Sequence, residues 1–145
     1  MSRPNTLFGG GLIGTSFTTP TQVQDLLDHL KALDVERIDT AARYSPTNPG
    51  SSERLLGEVQ VAKQGFTIDT KINTEGSTAG DASGSLTAAA IATSVDESFT
   101  RLNVDKVHVL YFHRPDPATP VAEQAAEMQR QFLKGRFEKV RLFYI

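Results

Sequence analysis

Phe66-Thr67-Ile68-Asp69-Thr70-Lys71-Ile72 alternates with period two, and its reading governs the rest of the chain. Period two is the mark of a β-strand, and it puts Asp69 and Lys71 on the same face. Working outward, Arg37-Ile38-Asp39-Thr40 is the strand candidate upstream, and Lys106 to His113 is the best-formed strand downstream. The stretch Thr6 to Ser16, broken by Gly9, Gly10, Gly11 and Gly14, suits a short first strand entering a tight turn. Phe137 to Ile145 reads as a final apolar strand.

Helices fill the gaps. Thr19-Pro20-Thr21-Gln22 supplies an N-cap, a proline in the first turn and a glutamine three residues after the cap. Val23, Leu26, Leu27, Leu30 and Leu33 follow at helical spacing as one apolar face. A second helix is expected over Glu53 to Ala62. A third, capped by Ser85, carries Ile91, Val95, Phe99 and Leu102 and ends near Asn103. A fourth starts at Thr119-Pro120, runs to Lys134 and is closed by Gly135. The small, polar stretch from Asn73 to Ser85 reads as a mobile surface loop.

Strand and helix therefore alternate, with connections long enough for right-handed parallel crossovers. The class is α/β. A doubly wound sheet and a (β/α)8 barrel both begin this way, so alternation alone does not choose between them.

The 145 residues, 39% hydrophobic and 22% charged with a net charge of −2, describe an ordinary soluble domain. No concentrated basic surface is expected, so neither nucleic acid nor a membrane is an expected partner. The chain has no cysteine, which removes disulfides, thiolate metal sites and cysteine nucleophiles, and redox chemistry would need a bound cofactor. No apolar run reaches the ~18 residues of a membrane span, and a cytoplasmic location is the default expectation.

In a barrel, catalytic groups stand where strands end and βα loops begin. Asp39 and Tyr44 lie at and just after the end of the second strand, Lys71 ends the third and His113 ends the fourth. A tyrosine close to an ammonium can act as a general acid, because the positive charge stabilises the phenolate, and an aspartate keeps such an ammonium charged and oriented. Each residue alone has a plainer reading: a turn cap, a loop aromatic, a solvated surface charge, a strand-end histidine. Together, at three successive strand ends, they point to one site. Arg37 shares strand parity with Asp39, and Asp69 with Lys71, so a supporting ion pair is expected beneath it. His108 differs in parity from His113 and is expected to face the covering helices. His29 is expected to be a partly exposed helix residue.

Arg37-Ile38-Asp39-Thr40-Ala41-Ala42-Arg43-Tyr44, Gly50-Ser51-Ser52-Glu53-Arg54-Leu55-Leu56-Gly57, Thr70-Lys71 and Tyr111-Phe112-His113-Arg114-Pro115-Asp116 occur in that order along the chain. The set resembles the successive signatures of the aldo-keto reductases, most closely the aflatoxin-aldehyde reductase branch. The resemblance implies a partial (β/α)8 TIM barrel, with residues 1–145 as its N-terminal half: about four βα units plus a fifth strand in one incomplete domain. It implies an NADPH-dependent oxidoreductase that reduces aldehydes and ketones to alcohols without a metal. Tyr44 would be the proton donor, Lys71 would favour release of that proton, Asp39 would hold Lys71, and His113 would orient the carbonyl of a small-molecule substrate. Gly10, Gly11 and Asp39 would lie against the nicotinamide end of the cofactor.

Two departures from the family pattern set further expectations. Arg141-Leu142-Phe143-Tyr144 stands where the family carries a glycine, a hydrophobic residue, serine and asparagine, so a contact to the nicotinamide amide is lost. A whole barrel needs ~250 residues, and phosphates in such folds commonly sit at the loops after the seventh and eighth strands. NADPH binding by this chain alone is therefore expected to be weak or absent. Truncation of a longer ancestor is expected, and the alternative function is an inactive half-barrel acting by association. Its open barrel edges would favour a homo-oligomer.

Overall fold

The computed structural model describes residues 6–75 and 81–142, and residues 76–80 of the expected Asn73 to Ser85 loop lie outside them. The elements run β1 (Phe8–Gly9), α1 (Pro20–Ala32), β2 (Arg37–Asp39), α2 (Ser51–Glu58), β3 (Thr67–Ile72), α3 (Ala88–Leu102), β4 (Val107–Phe112), α4 (Val121–Leu133) and β5 (Phe137–Leu142). All neighbouring strands pair in parallel, and their order across the sheet is β1-β2-β3-β4-β5. That order decides what alternation left open. A doubly wound sheet sends its chain back past the first strand, whereas a barrel adds each strand beside the last. The fold is α/β, a partial (β/α)8 barrel of five strands and four helices among the described residues.

Helix α1 starts as its sequence dictates: the Thr19 hydroxyl accepts from the Gln22 N–H, and the Gln22 side chain accepts from the Thr19 N–H. Its Val23, Leu27 and Leu30 are buried, but Leu33 is 71% exposed, because the helix ends at Ala32 and the expected stripe overruns it. Helix α2 starts earlier than expected, at Ser51 after a left-handed Gly50, and stops at Glu58; a separate 3-10 turn covers Val61–Gln64. The cap of α3 is Thr87, whose hydroxyl accepts from the Ala90 N–H, while Ser85 donates to the Ala82 carbonyl. At α4 the Thr119 hydroxyl does not cap; it donates to the Asp116 carboxylate.

The helices cover one face of the sheet. Ile38, Ile68, Ile72 and Leu110 meet Val23 and Leu27 of α1, Leu56 of α2 and Ile91, Val95 and Leu102 of α3 in one buried cluster. Each such side chain contributes roughly 1.5–3 kcal/mol when fully buried. Helices α2 and α3 approach so closely at Gly57 that a Cβ there would lie 2.0 Å from the Arg101 carbonyl oxygen. Asp116 ties two loops together: it accepts from the N–H groups of Gly84 and Leu86 before α3, and from Ala118, Thr119 and the Thr119 hydroxyl before α4. Burial pushes its carboxyl upward, but the Thr119 hydroxyl and these N–H groups outweigh that and hold its pKa down at about 2.

The opposite face carries Asp69 and Lys71, as the period of β3 requires. Strict alternation does not continue through β4. His108 and Tyr111, three residues apart, both reach the side of the sheet occupied by Asp69 and Lys71. The expectation that His108 packs under the helices is thus overturned, because the Asp69 carboxylate takes the N–H of Val109 as well as the His108 ring.

Candidate active site

The C-terminal ends of β2, β3 and β4 bring Asp39, Tyr44, Lys71 and His113 to one place. Backbone pairing of β2 with β3 runs past the strand itself, with the Thr40 and Ala42 N–H groups donating to the carbonyls of Asp69 and Lys71. The turn that follows is held by the Tyr44 N–H on the Ala41 carbonyl and by the Ser52 N–H on the Tyr44 carbonyl. Tyr44 is set by backbone bonds on both sides.

Lys71 is the most enclosed member, its side chain 1% exposed. Its ammonium donates to Oδ2 of Asp39 at 2.5 Å and to the Thr40 carbonyl at 2.9 Å. The nitrogen lies 4.8 Å from the centroid of the Tyr44 ring and 5.8 Å from that of Tyr111. A buried ammonium needs such acceptors, since an unpaired charge in this setting is very costly. Burial raises the Asp39 carboxyl above its ordinary pKa, against the opposing pull of Lys71.

His113 sits edge-on to Tyr44, with ring centroids 5.8 Å apart and planes at 83°. Burial first, then the positive charges of Lys71, Arg43 and Arg114, bring its pKa down to about 4. It is therefore neutral near pH 7, a hydrogen-bonding group and not a charge.

Gly10 is buried, its carbonyl accepting from the Ser52 hydroxyl, and a Cβ there would come within 2.7 Å of the Asp39 carbonyl oxygen. Gly11 is half-buried, and a Cβ on it would stand 3.9 Å from the Tyr44 ring. The absence of a side chain at Gly11 leaves backbone against the flank of the phenol.

One tier lower, Arg37 and Asp69 form the expected ion pair, with Nε at 2.9 Å and Nη2 at 2.5 Å from the same carboxylate oxygen. The other oxygen accepts from His108 Nδ1 at 3.0 Å and the Val109 N–H at 3.1 Å.

A proton-bearing phenol beside a buried Lys–Asp pair and a neutral imidazole, at the strand ends of a sequentially ordered parallel sheet, matches a known family. The model of the aldo/keto reductase family covers residues 6–140 of the chain. The chain belongs to the aldo/keto reductase family.

Among similar human proteins, aldo-keto reductase family 7 member A3 is 29% identical over 141 residues, 97% of this chain and 41% of the relative. Aflatoxin B1 aldehyde reductase member 4 is 28% identical over the same share, and member 2 is 31% identical over 105 residues, 72% of this chain and 28% of the relative. The chain thus spans about 41% of the length of the first two relatives. Membership supports an oxidoreductase; proteins of this family act on small carbonyl substrates and generally use NADP(H). No helix among the described residues is long and apolar enough to cross a membrane.

Sequence reasoning gave no role to several residues around the site. Glu53, fully buried in α2, accepts from the Thr70 hydroxyl at 2.6 Å and from Arg101 Nε at 2.7 Å, locking α2 and α3 to β3. Arg43, Glu75 and Arg114 form a charged group at the mouth of the site: both guanidiniums reach Oε1 of Glu75, that of Arg114 at 3.0 Å. Their proximity to the site was the available signal. Arg43 precedes Tyr44, Arg114 follows His113, and Glu75 lies four residues past Lys71.

Proposed function

We propose that this chain carries the acid–base half of an NADPH-dependent aldehyde and ketone reductase. The observation behind this is the buried Lys71 ammonium, bonded to Asp39 and the Thr40 carbonyl and 4.8 Å from the centroid of the Tyr44 ring. In this reading Tyr44 gives its proton to the carbonyl oxygen as negative charge develops there. Lys71 stabilises the phenolate left behind, and Asp39 fixes the ammonium in place. Neutral His113 donates a hydrogen bond that orients the carbonyl and adds no competing charge. NADPH, when bound, would supply the hydride. Gly10, Gly11 and Asp39 would meet its nicotinamide end. Gly11 fits such a neighbour, because a flat ring can approach Tyr44 only over backbone that carries no side chain.

Weak NADPH binding and slow turnover are expected of this chain alone. Acid–base groups without full cofactor positioning forgo much of the ~7–11 kcal/mol that proximity contributes in favourable cases. Titration of NADPH fluorescence, followed by product analysis with an aromatic aldehyde, tests the reading. Detectable alcohol that Tyr44→Phe removes, with NADPH affinity unchanged, supports it. Alcohol formed equally well by Tyr44→Phe refutes the assignment of the proton donor.

A second reading is favoured by one feature, an apolar groove of about 490 Å³ between α4 and β5, with Phe112, Met128, Phe132, Phe137 and Val140 in its lining. Phe132 is 47% and Val140 46% exposed. Here the chain acts by association without catalysis, a second copy covering the groove and the β5 edge. Sedimentation with hydrogen exchange separates the readings: a dilute monomer with well-protected β5 amides would exclude association.

A further inference from the structure

The charged group at the mouth of the site has a composition that the acid–base chemistry does not call for. Arg43 comes from the loop after β2, Glu75 from the loop after β3 and Arg114 from the loop after β4. Both guanidiniums converge on a single oxygen of Glu75, and Arg114 also donates to the Thr74 carbonyl at 2.8 Å. Two cations on one carboxylate leave a net positive charge. Below them, the Lys71–Asp39 pair is balanced and His113 is neutral, so nothing beneath offsets it. All three side chains are partly open to solvent, with 35% of Arg43, 27% of Glu75 and 29% of Arg114 exposed. Guanidiniums are the groups best suited to bind a carboxylate through paired N–H donors.

We infer that Arg43 and Arg114 form a carboxylate-recognition subsite at the entrance to the Tyr44–His113 site, with Glu75 as its resident, displaceable carboxylate. The subsite selects carbonyl substrates that carry a carboxylate away from the reacting carbon. As to substrate class, the inference rests on the reductase reading above; as to binding, it stands alone. Both arginines act on His113 through space, which places them near enough to sense what docks there. A purely structural role for Glu75, lacing three loops together, makes the opposite prediction for its removal.

The test is side-chain NMR of the full chain labelled at arginine nitrogen, titrated with benzoate and, as the uncharged control, benzamide. Benzoate is expected to shift the Arg43 and Arg114 Nε–H signals saturably, with affinity falling as salt rises, and benzamide is expected to leave them in place. Glu75→Gln removes the competitor and should tighten benzoate binding about threefold or more, while Arg114→Met should weaken it about tenfold. Should Arg114→Met not fold, Arg43→Gln serves in its place. Benzoate that moves neither arginine, or binds more weakly to Glu75→Gln, overturns the subsite. A companion assay compares NADPH-dependent reduction of 4-carboxybenzaldehyde with that of its methyl ester. Benzoate binding with neither aldehyde reduced would leave the subsite standing and defeat the reductase reading. Reduction of both with equal KM would leave the reductase and defeat the subsite.

Discussion

Strands β2 and β3 carry two buried ion pairs, one step apart along the strands and opposite in sign. In the lower tier β2 gives the cation and β3 the anion, as Arg37 and Asp69; in the upper tier β2 gives the anion and β3 the cation, as Asp39 and Lys71. The lower carboxylate is fully buried and accepts from Arg37, His108 and the Val109 N–H. The upper ammonium is held from one side by two acceptors and has aromatic rings as its other neighbours. A saturated carboxylate holds strands together. An ammonium held on one side and set beside a phenol can respond when charge develops there. The two tiers share strands, burial and pairing, so what separates scaffold from chemistry is what each charge faces.

The comparison breaks most visibly in stability. Asp69→Ala leaves Arg37 and His108 facing an emptied buried site and should cost about 3–5 kcal/mol in urea unfolding. Lys71→Met leaves only Asp39, which is 18% exposed and already shifted toward its neutral form, and should cost about 1–2 kcal/mol. Equal losses would mean that the two pairs play the same part.

Away from both tiers, Asp116 calibrates what a saturated carboxylate is worth. Its folded pKa, about 2, lies below the ordinary value of 3.8, so its stabilisation is complete above 3.8 and is lost as pH falls through 2. Asp116→Asn should cost about 1–2 kcal/mol at neutral pH and progressively less in acid. A pH-independent loss would show that the loops are held by hydrogen bonds alone.

His113 sharpens the comparison at the smallest scale. Its pKa is lowered from 6.5 to about 4, so the folded state disfavours its protonation, and stability from this group declines as pH drops from 6.5 towards 4. NMR titration should find the ring neutral down to about pH 4, rising by up to about one unit in Lys71→Met and unmoved in Asp69→Asn. A shift of the same size in both variants would erase the difference between the tiers.

Much of this was legible in the sequence. The capping box at Thr19–Gln22, the alternation through β3 and the strand-end placement of Asp39, Lys71 and His113 are local patterns, and local patterns survive folding. Parity alone was enough to pair Arg37 with Asp69. Other features depend on partners distant in sequence. Ser85 and Thr119 looked like helix caps, but α3 takes its cap from Thr87, and Thr119 turns to Asp116. His108 changed faces because a carboxylate on the neighbouring strand captured its ring and the adjacent N–H. Glu53 read as an ordinary first-turn acid, and its burial depends on Arg101, 48 residues away. The choice between barrel and doubly wound sheet required strand order, which alternation does not encode.

The most direct test of the upper tier as chemistry and the lower as scaffold is hydride transfer from deuterated NADPH to an aromatic aldehyde. It is measured under identical conditions for the unaltered chain, Lys71→Met and Asp69→Asn, each normalised to its folded fraction. The account predicts that deuterium incorporation into the alcohol falls by about 100-fold or more in Lys71→Met, the scale of a lost general-acid contribution, and changes by no more than a few-fold in Asp69→Asn. Undiminished transfer by folded Lys71→Met, or equal losses in the two variants, would contradict it.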